Sequence, residues 1–255
     1  MPKLIVNEFL TLDGVMQAPG LPDEDRSGGF EHGGWQMPYF DDIFGRAIME
    51  GLDAAGGFLL GRRTYEIFAA HWPKQPADDP LAATFNEMPK YVVSRTLSEP
   101  LPWANSKLIR DDVPAELAKL KDQAGKELQV IGSGELVQAL MQQGLVDEYR
   151  LMIHPILLGS GKRLFREGAD APTKLRLVDV KPTTTGVLIA TTSRPDRHRR
   201  RAGRLGSPAA VPRSEPLGSA TGSLARGVGH LRTRRSPRPA GGSAGRTRAH
   251  PQIRE

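Results

Sequence analysis

Apolar positions along the first three quarters of the chain follow two periods in turn, and each switch between them marks an element boundary. Residues 128–145 show this most sharply. Leu128, Val130 and Ile131 form a short apolar run, Gly132, Ser133 and Gly134 break it, and the pairs Leu136/Val137 and Leu140/Met141 follow at helical spacing. The pattern predicts strand, glycine turn and helix, with Ser133 as N-cap and Gly144 as the C′ stop. Such a turn leaves backbone N–H groups unpaired at the positive end of a helix dipole, where a phosphate can sit. The dinucleotide fingerprint would need a third glycine where Val137 stands, so the turn alone also reads as an ordinary steric connection.

The rest of the pattern extends this alternation. Residues 3–10 read as a strand ending in Thr11-Leu12-Asp13-Gly14, which puts Asp13 at the strand's C-terminal edge, where open α/β sheets bind ligands. Residues 17–37, rich in Gly, Pro and Asp and containing His32 and Trp35, form a long loop, either a lid or a solvated insertion. Phe40, Ile43, Phe44, Ala47, Ile48 and Leu52 recur with helical period after Pro38, a first-turn residue. Residues 57–60 form a short apolar strand that runs into Gly61-Arg62-Arg63-Thr64 at the start of another helix. Two guanidiniums and a hydroxyl there suit phosphate oxygens, or else mark a solvated helix start with arginines in ion pairs. Residues 91–93 form a strand that ends in Ser94-Arg95-Thr96, a third hydroxyl and cation at a strand end.

Residues 107–109 read as a further strand, and Asp112 caps a helix with Leu117 and Leu120 on one face. Residues 149–158 are apolar on both faces and predict a buried strand, with Pro155 marking an edge or bulge. A hairpin of residues 175–180 and 187–192 closes the order, which predicts an α/β fold with a mostly parallel sheet and an antiparallel C-terminal hairpin.

Charge then divides the chain in two. Residues 1–193 hold 20 Lys+Arg and 26 Asp+Glu, a net of −6, whereas residues 194–255 hold 15 Arg, no Lys and 3 acids, a net of +12. The first part suits one globular domain. The second lacks Phe, Tyr, Trp and Met and is dense in Arg, Gly, Pro and Ser, so a disordered basic tail is expected. Its switch to arginine alone, where the last strand ends, reads as translation of a shifted frame rather than an evolved arm. Polyanions would be attracted without specificity, and no aromatic is present for base stacking.

Several chemistries drop out. No cysteine is present, so a disulfide framework, a thiolate metal site and a zinc deaminase are all excluded, and no metal is expected. The stretch Gly159-Ser160-Gly161-Lys162 lacks the first glycine of a P-loop, which would fall at Ile156, and has Arg163 where a magnesium-holding hydroxyl belongs, so it reads as a turn. No G-x-S-x-G elbow is present, and His154 reads as a hydrogen-bonded core histidine. A lone Lys3 and an apolar run broken at Asn7 and Glu8 do not look like a signal peptide, and no apolar run reaches membrane-spanning length. A soluble cytoplasmic protein is expected, with a small-molecule substrate, no specific nucleic acid, no membrane and a homodimeric state.

In order along residues 1–193, the segments TLDGV from Thr11, LLGRRTYE from Leu59, YVVSRT from Tyr91, VIGSGELV from Val130 and LVDEYRLMIHPILLGSGKRLF from Leu145 resemble the dihydrofolate-reductase-like family. The branch is the one related to the C-terminal reductase domain of the bifunctional riboflavin biosynthesis deaminase-reductase. The resemblance implies a three-layer sandwich and an NADPH-dependent reductase of a pterin-like or ribosylaminopyrimidine-like molecule. It further implies that Gly61, Arg62, Arg63 and Thr64 grip cofactor phosphates, that Ser94 and Arg95 meet the 2′-phosphate, and that Gly132, Ser133, Gly134 and Glu135 cradle the pyrophosphate. Ser133 replaces the second of two glycines usual in true dihydrofolate reductases, a departure from that narrow group but not from the wider family. Those enzymes also hold the pterin with a helix acid. The nearest acids here are Asp41 and Asp42, at a different spacing, and Asp13 is the better placed candidate for catalysis, or else the cap of the turn before Gly14. A protein that kept the fold and nucleotide binding but lost catalysis is the alternative.

Overall fold

The alternation read from the sequence folds into one mixed sheet with helices on both faces. In this computed structural model, residues 2–123, 125–165 and 172–195 are described. The expected tail lies outside them from residue 196 onward. In chain order the elements are β1 (Leu4–Thr11), α1 (Asp42–Ala54), β2 (Ala55–Gly61), α2 (Arg62–His71), α3 (Pro80–Glu87), β3 (Lys90–Val93), β4 (Ser106–Ile109), α4 (Val113–Gln123), β5 (Glu127–Ile131), α5 (Gly134–Gln142), β6 (Glu148–His154), β7 (Arg176–Pro182) and β8 (Leu188–Ser193). The eight strands lie in the order β4-β3-β2-β5-β1-β6-β8-β7. All pairs are parallel up to β6, and β8 then runs antiparallel to both β6 and β7.

Side chains alternate across the sheet because the strand period is two, and each face recruits its own helices. Leu4, Val6, Leu59, Leu128 and Val130 pack with Leu117 and Leu120 of α4 and Leu136, Val137 and Leu140 of α5. On the opposite face, Phe58, Leu60 and Val92 meet Leu52 of α1, Tyr65 of α2 and Phe85 of α3. This is the three-layer sandwich. The chain leaves β1 across β5 to reach β2, and later crosses β1 on its way from β5 to β6, so the carboxyl ends of β1 and β5 bracket a crevice.

Three local expectations are corrected and one helix is added. The helix anticipated after Pro38 starts at Asp42, because the Asp41 side chain accepts from Phe44 N at 2.8 Å, and Pro38 instead sits in a short 3-10 turn. Ser133 occupies the N-cap position of α5 but caps nothing there, its hydroxyl being used elsewhere. Pro155 lies just past the end of β6, an interior strand, rather than at an edge or in a bulge. Helix α3 was not anticipated, although Asp79 accepts from Leu81 N at 2.8 Å ahead of Pro80 at the first helical position. Gly144 does end α5, at φ 70°, with Leu145 N donating to Leu140 O at 2.9 Å. Arg194 then donates to Gly144 O at 2.7 Å, tying the first residue of the basic segment to the end of that helix.

Candidate active site

Two of the three turns singled out in the sequence are brought together. The β2–α2 turn and the β5–α5 turn interlock through hydroxyls: Gly61 N donates to Ser133 Oγ at 2.9 Å, and Thr64 Oγ1 donates to Gly132 O at 2.9 Å. Ser133 Oγ and Thr64 Oγ1 lie 3.0 Å apart. Space explains the glycines, since a Cβ on Gly132, itself at φ 63°, would stand 3.2 Å from Thr64 Cγ2, and one on Gly134 would stand 2.6 Å from Met16 Sδ. Gly61, Arg62, Arg63, Thr64, Gly132, Ser133, Gly134 and Glu135 all line one cleft of about 930 Å³. The third turn lies one strand farther along the sheet edge. Ser94 Oγ there accepts from Thr96 N and Leu97 N, closing the turn on itself, while Arg95 is exposed, and neither residue lines the cleft.

The long loop of residues 17–37 is strapped across the cationic end. Asp25 Oδ1 lies 2.7 Å from Arg63 and Asp25 Oδ2 lies 2.7 Å from Lys162, with the carboxylate only 9% exposed. Burial works against its charge, but hydrogen bonds from Lys162 and Ser27 and the charge of Lys162 outweigh this and hold Asp25 below the ordinary carboxylate range. Trp35 anchors the loop through Nε1 to Gln17 O at 2.7 Å, and Phe30 and Trp35 bury against Val15. The loop is therefore a packed strap rather than a solvated insertion. Arg62 is 3.6 Å from Glu66 and more than half exposed.

The candidate acids separate by what already holds them. Asp13 does not line the cleft. Burial alone would raise it, but Thr11 Oγ1 at 2.6 Å, the Gly159 and Leu158 N–H groups and Arg163 bring it down to about 2. Its carboxylate joins the end of β1 to residues 158–163, which is the geometry of a cap. Asp41 is held at about 2 by the Thr184 hydroxyl, Phe44 N, and the backbone N–H groups of Thr184 and Thr185, and Asp42 is exposed in the first turn of α1. Glu8 differs from all three. It lines the cleft from β1, is 3% exposed, and has one oxygen, Oε1, with no hydrogen-bond partner. Burial pushes it up to about 8, partly offset by the backbone N–H groups of Gly132 and Ser133.

Beyond the turns the cleft is largely apolar, with Phe9, Phe40, Ile48 and Met152 among its walls. Its floor carries an amide pair, Asn7 Nδ2 donating to Gln129 Oε1 at 2.7 Å, and Arg150, paired with Glu127 at 3.0 Å and Glu148 at 3.1 Å. His154 is fully buried among the rings of Trp35, Phe9, Tyr39 and Phe44, with Nδ1 against two carbonyls and burial lowering its basicity, as befits a neutral core histidine. Among the described residues no cluster of three or more His, Cys, Asp or Glu could hold a metal, and no helix is long and apolar enough to cross a membrane.

Comparison with known proteins agrees with this architecture. The sequence model of the RibD C-terminal domain matches residues 2–189. An uncharacterized protein of Bacillus subtilis (strain 168), YyaP, is 34% identical over 134 residues, covering 51% of this chain and 69% of YyaP. A putative riboflavin biosynthesis protein from Shewanella sp. PV-4 superposes with a TM-score of 0.56 at 21% identity, over 76% of this chain and 99% of that one. The Thermotoga maritima diaminohydroxyphosphoribosylaminopyrimidine deaminase/5-amino-6-(5-phosphoribosylamino)uracil reductase superposes with a TM-score of 0.52 at 13% identity, over 76% of this chain but 57% of that one. The chain thus spans little more than half the length of that bifunctional protein.

Proposed function

Because the chain belongs to the RibD C-terminal domain family, we propose that it is an NADPH-dependent reductase of a pterin-like or ribosylaminopyrimidine-like small molecule, with residues 1–193 as its working domain. The observation that carries this reading is the interlocking of the Gly61–Thr64 and Gly132–Glu135 turns at one end of an otherwise apolar cleft. Two helix N-termini and the guanidiniums of Arg62 and Arg63 suit the phosphates, and the apolar walls suit flat rings stacked against one another.

When bound, the nicotinamide supplies hydride, and this chain's task is to align it with an electrophilic carbon, exclude water and supply a proton. Arg95, at the end of the strand beside β2, is assigned to the 2′-phosphate, with Ser94 shaping the turn that carries it. The commitment of Asp13 and Asp41 to hydrogen bonds motivates the second reading, a nucleotide-binding protein without turnover. Fluorescence titration with NADPH, followed by turnover on dihydrofolate and on the ribosylaminopyrimidine of riboflavin synthesis, separates the two. Binding with turnover supports the reductase, and binding with no turnover on either supports the second reading.

We assign the expected homodimer to β7. It is an edge strand exposed on both faces, and Leu177, Val178 and Val180 are 58%, 47% and 45% exposed. A second copy of the chain presents the same open edge under two-fold symmetry, so the contact is self-complementary.

A further inference from the structure

Reduction of a C=N or C=O bond takes a hydride on carbon and a proton on the heteroatom. Only the proton has to come from this chain, and the acids that sequence reasoning favoured are spent on structure: Asp13 holds residues 158–163, and Asp41 caps α1 and holds Thr184. Of the other cleft carboxylates, Glu24 accepts from Gly20 N and Leu21 N, Asp25 is bound by Arg63 and Lys162, Asp79 caps α3, and Glu135 in the first turn of α5 has a partner as well. Glu8 alone among these has an oxygen that is both buried and without a partner.

Its surroundings favour the neutral acid. β1 places the side chain beneath the Gly132–Ser133 turn, whose backbone N–H groups lie on the carboxyl. The arginines and lysine that share the cleft are engaged with other acids, Arg62 with Glu66, Arg63 and Lys162 with Asp25, Arg150 with Glu127 and Glu148, and Arg163 with Asp13. Burial is the largest influence on Glu8, so the carboxyl keeps its proton near neutral pH, and a protonated carboxyl is a hydrogen-bond donor as well as an acceptor. The two N–H groups seat the carboxyl, and Oε1 is left buried and without a partner in a residue that lines the cleft.

Resting on the reductase reading above, we propose that Glu8 is the proton donor of the reaction, its buried carboxylic acid giving a proton from the unpartnered oxygen to the substrate heteroatom. The Glu8 O–H bond breaks and the heteroatom–H bond forms, the carboxylate left behind is reprotonated from solvent, and a nicotinamide cofactor held at the Gly61–Thr64 and Gly132–Glu135 turns would supply the hydride taken up at carbon. The same seat gives Glu8 a second consequence. Nucleotide phosphates at the turn add negative charge beside the carboxyl and favour its neutral form.

The test uses the full chain with 13C-labelled glutamate side-chain carboxyls, and Glu8→Gln identifies the Glu8 resonance by its loss. The Glu8 signal should remain that of a neutral acid at pH 7, titrate well above the other glutamates, and move to still higher pH when NADP+ is added. Glu8→Gln, which keeps the shape and a donor, should bind NADPH within about threefold of the wild type while turnover falls about 100-fold or more. Glu8→Asp should recover part of that loss. A Glu8 signal that titrates with the other glutamates or is indifferent to NADP+, or a Glu8→Gln protein that reduces substrate at the wild-type rate, overturns the assignment and leaves the reductase reading standing. A wild-type chain that fails to bind NADPH removes that reading, and this assignment falls with it.

Discussion

Glu8, inside β1, and Asp13, two residues past its end, lie five positions apart, and their surroundings send them in opposite directions. Asp13 meets burial with four hydrogen-bond partners and stays ionised down to about pH 2. Glu8 meets it with two backbone N–H groups and no cation, and holds its proton to about pH 8. The consequences for stability have opposite signs. A folded carboxyl at about 2 against an ordinary 3.8 stabilises the fold above pH 4, and this is lost as pH falls toward 2. Asp13→Ala should therefore cost about 2–3 kcal/mol at pH 7, from the loss of hydrogen bonds to a charged group, read as a lower denaturant midpoint. The NADPH affinity measured on the folded protein should be unchanged. A folded carboxyl at about 8 against 4.5 stabilises the fold below pH 4.5, and this is lost as pH rises to 8. Glu8→Gln should thus gain in thermal midpoint relative to the wild type between pH 5 and pH 8.5; a constant difference across that range would contradict the buried acid. The sequence pointed to Asp13 through its position at a strand end. Glu8 registered there only as a break in an apolar run, because whether a strand residue faces a cleft or solvent depends on long-range packing.

Elements were legible where hydrophobic period and turn chemistry agreed. The β5–α5 unit, the hairpin of β7 and β8 and the alternation that makes the sheet parallel all follow from local pattern. Helix α3 was missed because its eight residues are too short to establish a period, although Asp79-Pro80 carried the start signal. The strap role of residues 17–37 was open in the sequence, since only the fold brings Asp25 between Arg63 and Lys162, 38 and 137 positions away. That carboxylate stands against Arg63, which is assigned to cofactor phosphate, so it competes with the ligand. Asp25→Asn should tighten inorganic phosphate and NADPH binding by about threefold to tenfold at low salt, the scale of one partly screened charge contact, measured by calorimetry. Weaker binding would show that the strap helps to build the site. At the other end of the sheet, Val180→Lys should convert the homodimer to a monomer in light scattering without lowering the thermal midpoint of the domain. A wild-type chain that is already monomeric would contradict the β7 assignment.

At the scale of the whole molecule, an acidic domain is joined to an arginine-rich segment of opposite charge, with the nominal boundary at residues 193 and 194. Arg194 is bound to the end of α5, so the informative cut falls after Pro195 rather than after Ser193. Removing residues 196–255 should leave thermal stability and NADPH affinity unchanged and abolish weak, salt-sensitive retention on DNA. Loss of either property on truncation would make the basic segment part of the working protein. The fold class and the individual glycine turns were within reach of the sequence because each is set by short-range residue chemistry, whereas the interlocking of the turns joins residues 68 and 72 positions apart. The strap and the buried acid were not, because each joins residues that only the complete sheet brings together. Selection of the phosphorylated nicotinamide cofactor by the interlocked turns and Arg95, as proposed above, is read by fluorescence titration of the wild type and Arg95→Ala with NADPH and with NADH. The wild type should prefer NADPH, and Arg95→Ala should weaken NADPH binding by about 10- to 100-fold, the worth of hydrogen bonds to a charged phosphate, while leaving NADH nearly unchanged. Equal losses for the two cofactors would remove Arg95 from the 2′-phosphate, and absence of NADPH binding to the wild type at millimolar concentration would contradict the account at its root.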